Sequence, residues 1–148
     1  MNLASLLFNA ARSFPDCKAV SRGDELLYRY RDYAELAARL AGGLTYGGLQ
    51  AGDRVGLAMS NHPDYLALLF GIWSAGLVAV PVNARLHPRE LAYILADCGA
   101  RLCIATPDVA ESLAAVLPPG TRLLVAGEAD WRRIAGAKVV RHRMATNA

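Results

Sequence analysis

Lysine is nearly missing from this chain. Its 148 residues include 16 basic side chains, of which only Lys18 and Lys138 are lysine, set against 13 acids for a formal charge of +3. The arginines are scattered rather than run together, which excludes the clustered cations that neutralise several nucleic-acid phosphates at once. Cysteine is equally sparse: Cys17, Cys98 and Cys103 are odd in number and show no CxxC spacing. A metal pair at Cys98 and Cys103 would need further ligands, and His62, His87 and His142 are dispersed. The two cysteines therefore read as small buried hydrophobes. The opening MNLASLLFNAARSF has no charged segment followed by an uninterrupted apolar one, the pattern of a secretory leader. Together these absences point to a reducing, cytoplasmic setting.

Phosphate-loop patterns are missing too. The glycines at 42, 43, 47 and 48 match neither GxGxxG nor GxxxxGK[ST], and they sit inside or at the end of a helical pattern rather than after a strand. Close helix packing and a C-terminal cap explain them. Charge is absent from Tyr65 to Val82, 18 residues and the lower limit for a membrane-crossing helix. Ser74-Ala75-Gly76 is a helix stop, however, and Pro81 closes a short β-branched run. The stretch divides into a helix and a buried strand, and no transmembrane segment is expected.

What is present is a chain of single-domain length, 54% hydrophobic and 20% charged, able to bury a real core. Asn2 caps a first helix, Leu3 to Phe14, with Leu3, Leu6, Leu7, Ala10 and Ala11 on one face. Ala19-Val20 and Leu26 to Tyr30 flank Arg22-Gly23-Asp24 as a hairpin. Asp32 to Tyr46 is the clearest amphipathic helix, its apolar stripe made by Tyr33, Leu36, Ala37, Leu40, Ala41 and Leu44. A strand at Val55 to Met59 leads through Ser60-Asn61, which offer capping oxygens, into a helix from Asp64 to Ala75. A strand follows at Leu77 to Val80. Pro88 and Glu90 then open a helix whose core face is Leu91, Ile94 and Leu95 and which Gly99 ends. Arg101 to Ala105 is a strand, a helix runs from Thr106-Pro107-Asp108 to Leu117, and Arg122 to Val125 is a further strand. Asp130 to Ile134 is a last short helix. Continuously apolar strands joined by helices specify an α/β fold, mainly a parallel sheet with helices on both faces, preceded by an early β-hairpin. Residues 1–137 form this α/β portion; residues 138–148, which lose the pattern, are expected to form a flexible tail.

The order of segments carries a resemblance. The series YRYRDYAELAARLAGGL, AGDRVGLAMSN, DYLALLFGIWSAG, VAVPVNARL and HPRELAYILADCGARL resembles the N-terminal part of the adenylate-forming (AMP-binding) superfamily, a likeness that covers about Leu3 to Val125. It is most similar to the acyl-CoA synthetases that act on fatty or aryl acids. The resemblance implies the N-terminal portion of their large domain and a two-step ligase reaction. A carboxylic acid substrate attacks ATP with Mg²⁺ to give an acyl-adenylate, and coenzyme A then displaces AMP. It also implies that much is missing, since the family's Ser/Thr/Gly-rich phosphate loop and its C-terminal-domain lysine match nothing here, Lys18 and Lys138 included. No catalytic residue is assigned, and ATP, Mg²⁺ and CoA are not expected to bind tightly to this chain alone.

The resemblance implies one ligand contact, Arg85 of Asn83-Ala84-Arg85-Leu86, near the nucleotide phosphate of CoA; a guanidinium suits bidentate phosphate recognition. Alternatively Arg85 pairs with Asp97 or Glu90, or stands in solvent. Asn83 is expected to satisfy loop backbone groups and Asn61 to cap a helix. Phe70 and Trp73 are expected in the core, with an acyl-chain wall as the alternative. The expected whole is an N-terminal fragment of an acyl-CoA ligase, truncated and not competent alone. The rival expectation is a degenerate copy acting as an interaction module, self-associating through an open sheet edge or uncovered apolar face.

Overall fold

A computed structural model of the chain describes residues 2–136; the tail expected from Lys138 onward lies outside them. The elements in order are α1 (Ala4–Ser13), β1 (Lys18–Arg22), β2 (Glu25–Arg29), α2 (Tyr30–Tyr46), β3 (Arg54–Ala58), α3 (Tyr65–Ser74), β4 (Val78–Pro81), α4 (Pro88–Asp97), β5 (Ala100–Ala105), α5 (Pro107–Ala114), β6 (Arg122–Val125) and α6 (Ala129–Ala135). β1 and β2 pair antiparallel, turning at Gly23, whose φ of +56° fits the first central position of a tight hairpin turn. β4-β3-β5-β6 form a separate four-stranded sheet in which every pairing is parallel.

Side chains alternate across this sheet, and each set is covered by helices. Val55, Leu57, Leu102, Ile104 and Leu124 pack with residues of α1, α2, α3 and α6. Ala58, Cys103 and Ala105 pack on the other face with Leu91 and Leu95 of α4 and Val109, Ala110 and Leu113 of α5. Leu40, Leu68 and Ile72 are fully buried between α2, α3 and the sheet, each such side chain stabilising the fold by about 1.5–3 kcal/mol. α2 and α3 approach closely because Gly71 has no side chain: a Cβ there would lie 2.8 Å from the carbonyl oxygen of Ala37. Gly43 likewise admits Ile134 of α6, so the helical glycines serve close packing, while Gly48, at φ +91°, ends α2.

The uncharged run divides where expected. α3 stops at Ser74, Gly76 takes φ +72°, and β4 begins at Val78. No described helix is long and apolar enough to cross a membrane.

Three local readings change. The buried face of α1 is Ala4 and Leu7 with Phe8 and Ala11 beside them, while Leu3 and Leu6 are exposed. Both sets obey helical spacing, and they differ by about one residue, or ~100° of rotation. Asn2 decides between them: its Nδ2 donates to the Trp73 carbonyl while its Oδ1 accepts from the Ala4 amide, fixing the helix on the end of α3. α5 ends at Ala114 rather than Leu117: the Val116 amide donates to the Leu113 carbonyl in a tighter last turn, and Pro118 disfavours helical backbone at Leu117. Ser60 and Asn61 do not cap α3, which has no side-chain cap from its own flank.

Candidate functional site

The chain reverses its winding between β3 and β5. These strands are adjacent, yet β3 leads into α3 on one face and β5 into α5 on the other. In open α/β sheets the crevice beyond the carboxyl ends of two such strands is where ligands bind. Four loops meet along this rim, one after each parallel strand.

The loop between β3 and α3 is its hub. The Ser60 amide donates to Thr106 Oγ1 at 3.0 Å, and the Ser60 hydroxyl donates to Asp108 Oδ2 at 2.5 Å, bridging β3 to the start of α5. The hydrogen bond from Ser60, with a second from Thr106, holds the Asp108 carboxyl below its ordinary range. His62 Nδ1 accepts from the Asp64 amide, and its ring meets Trp131 of α6 edge-on at 6.4 Å. Tyr28 of the hairpin donates its phenol proton to Asp64 Oδ1 at 2.7 Å. Burial first, and this bond second, push the Tyr28 phenol well above its ordinary value.

Tyr33 of α2 completes the hub. Its hydroxyl donates to the Pro63 carbonyl at 2.8 Å and accepts from the buried Ala67 amide at 3.0 Å. Ala67 is the third residue of α3, so a side chain thirty-four positions upstream supplies the cap that the local sequence does not. Ser60, Thr106, Asp108, Tyr28 and Asp64 were not singled out as a group from the sequence, where Thr106-Pro107-Asp108 shows only a helix start.

The loop between β4 and α4 stands at the sheet edge. Asn83 Oδ1 accepts from the Arg85 amide at 3.0 Å, the backbone role expected of it. His87 and Glu90 then cap α4 reciprocally: His87 Nδ1 accepts from the Arg89 amide, and Glu90 Oε2 accepts from the His87 amide. This engagement takes Glu90 away from Arg85. Arg85 is exposed, and among the described residues its guanidinium forms no ion pair or hydrogen bond, with Asp97 or any other group. Its arrangement is that of an available cation on a loop whose backbone is fixed on both sides.

The remaining candidates are placed as follows. Asn61 is exposed and caps nothing. Phe70 and Trp73 are half-buried and stack edge-to-face at 5.5 Å on α3. Cys103 is buried against α4, Cys98 is half-buried, and Cys17 is exposed. No group of three or more His, Cys, Asp or Glu suited to a metal occurs among the described residues.

A family model described as AMP-binding enzyme matches residues 7–141 of the chain. The chain belongs to the AMP-binding enzyme family. Among curated relatives, feruloyl-CoA synthase from an Amycolatopsis species is 42% identical over 128 residues, covering 86% of this chain and 26% of that protein. Long-chain-fatty-acid–CoA ligase FadD13 from Mycobacterium tuberculosis is 34% identical over 125 residues, covering 81% and 25% respectively. The N-terminal domain of FACL13 from Mycobacterium tuberculosis superposes with a TM-score of 0.85 at 30% identity, covering 95% of this chain and 37% of that one. The chain thus spans about a quarter of the length of these two curated relatives. Its parallel sheet, helices on both faces and leading hairpin are a fold shared with acyl-CoA ligase N-terminal domains, as the order of segments implied.

Proposed function

We propose that the chain serves as the N-terminal α/β part of an ATP-dependent acid–CoA ligase that activates a fatty or aryl carboxylic acid in the cytoplasm. The observation that carries this reading is the 42% identity to a feruloyl-CoA synthase along 86% of the chain. In the two-step reaction, carboxylate oxygen attacks the α-phosphorus of ATP and pyrophosphate leaves; the CoA thiol then attacks the acyl carbon and AMP leaves. This chain's part is to present Arg85 to the nucleotide phosphate of CoA, from a loop whose turn Asn83 holds. The described residues offer no donor set for Mg²⁺, and neither lysine lies in a phosphate-loop motif, so no chemical step is assigned to them.

The chain alone is therefore inactive in this reading. The test is ATP–pyrophosphate exchange with Mg²⁺ and a panel of fatty and aryl acids. Background exchange is expected, and robust exchange would remove the claim. For Arg85, the comparison is made in a ligase assembled with the family's remaining segments. Arg85→Ala there should raise the apparent KM for CoA about tenfold or more, as loss of a charge-assisted bond does, while leaving adenylation unchanged. An unaltered KM would return Arg85 to solvent.

A second reading is an interaction module. Both outer strands, β4 and β6, pair on one side only among the described residues, and Leu3, Leu6, Leu66 and Val78 are exposed. Chromatography with light scattering tests it: a dimer or higher species supports self-association, and a monomer at all concentrations dismisses it.

A further inference from the structure

Two helix starts on the carboxyl rim of the sheet are built alike. His62-Pro63 follows β3 and His87-Pro88 follows β4, and in each the imidazole Nδ1 accepts from the backbone amide two residues on: Asp64 at 3.1 Å and Arg89 at 3.2 Å. A backbone amide can only donate, so both bonds require a neutral ring that carries its hydrogen on Nε2. Histidine is also the side chain that gains a proton between about pH 8 and pH 5. The residues preferred at helix starts, Ser, Thr, Asp and Asn, cap through oxygen and keep their acceptor over that interval. A proton on Nδ1 abolishes it.

The surroundings of the two rings differ. Asp64 Oδ2 lies 4.0 Å from His62 Nδ1, and the His62 ring packs against buried Trp131, so a proton added there meets a carboxylate beside a held ring. Tyr28 fixes that carboxylate, and Tyr33 holds the Pro63 carbonyl and the Ala67 amide whatever the state of His62. The start of α4 has no such support: its capping bonds are those of its own box, between His87, Arg89 and Glu90. His87 is exposed and forms no ion pair among the described residues. Arg85, Arg89 and the amino end of α4 all oppose a further positive charge beside them. On the elements packed against α4, Asp108 of α5 is bonded to Ser60, and Glu111 of α5 and Arg101 and Cys103 of β5 form no hydrogen bond or ion pair with His87. Residues 137–148 contain no Asp or Glu. Glu90 Oε2 already accepts from the His87 amide at 2.9 Å, so an imidazolium that turned to Glu90 would undo the other half of the box.

We infer that His87 is an acid-released latch: its protonation opens the first turn of α4 and frees the following end of the loop Asn83-Ala84-Arg85-Leu86, while the His62 turn stays closed. This holds whether or not Arg85 meets CoA. The test is nitrogen-resolved NMR of the whole chain at about pH 8 and about pH 5, with each amide's solvent exchange divided by that of an unstructured peptide at the same pH. The Arg89 ratio should rise about fivefold or more on acidification, as loss of a helix cap does, and the Asp64 ratio should hold. His87→Asn, which keeps an acceptor at both pH values, should remove the rise, and His87→Ala should show fast exchange at both. If neither variant folds, the unaltered chain decides, because the rise must follow the titration of the His87 ring nitrogens point by point. No rise at Arg89, a rise shared by Asp64, a rise that persists in His87→Asn, or one out of step with the ring would overturn the proposal.

Discussion

Replacing Tyr33 by Phe removes one oxygen atom and tests how the rim is held. That oxygen makes two hydrogen bonds, donating to Pro63 O at 2.8 Å and accepting from the Ala67 amide at 3.0 Å. The two lost partners are unequal. Pro63 is half-buried and water can reach its carbonyl, whereas Ala67 is fully buried and its amide is left without an acceptor. The ring stays, so no cavity term enters. An orphaned buried donor costs about 1–3 kcal/mol, and the loss is therefore placed at about 2 kcal/mol. For a chain of this length each kcal/mol lowers Tm by about 2–4 °C, giving a fall of about 4–8 °C. Thermal unfolding followed by circular dichroism measures it, and hydrogen exchange localises it: the Ala67 amide should lose protection more than amides of α4. Tyr28→Phe, whose hydroxyl meets the half-buried Asp64, should cost less, about 0.5–1.5 kcal/mol. A Tyr33→Phe chain as stable as the original, with Ala67 still protected, would refute tertiary capping of α3.

Gly71→Ala sets two terms against each other. Alanine gains about 1 kcal/mol in helix propensity, but its Cβ would stand 2.8 Å from the Ala37 carbonyl oxygen and 3.2 Å from Leu40 Cβ, groups unable to swing aside. Overpacking of about 1–3 kcal/mol wins, and the midpoint of urea unfolding should fall. At alkaline pH the Cys103 thiol, pushed up to about 12 by burial, keeps its proton in the fold after the unfolded chain has lost it. Its contribution is whole below the ordinary value of 9.0 and is lost as pH rises toward 12. Between those limits unfolding free energy should decline, and a thiol reagent should label Cys17 rapidly but Cys103 only on opening. Asp108 has the opposite sign: held low by Ser60, it contributes stability above the ordinary carboxylate value of 3.8 that disappears as pH falls through its folded value. In Ser60→Ala the Asp108 titration followed by NMR should move upward toward the ordinary value.

Much of the scaffold was legible in the residues because burial imposes periodicity. The stripe from Tyr33 to Leu44 matches the buried face of α2, with Leu36 half-buried. Gly76 and Pro81 divide the uncharged run at the places where α3 stops and β4 closes. The site was less legible. Arg85 and Asn83 share one loop, so their relation is local, and the turn that Asn83 makes was readable from spacing alone. Ser60 and Asp108 are forty-eight positions apart and meet because β3 and β5 are neighbours, which strand order decides and hydrophobicity does not.

The sequence by itself determined the class of fold, the family and the loop that presents Arg85, since each follows from short-range pattern. Tertiary structure alone decided which face α1 buries and which distant hydroxyl caps α3. Those two depend on how separate elements meet in space, and hydrophobic periodicity leaves that choice open.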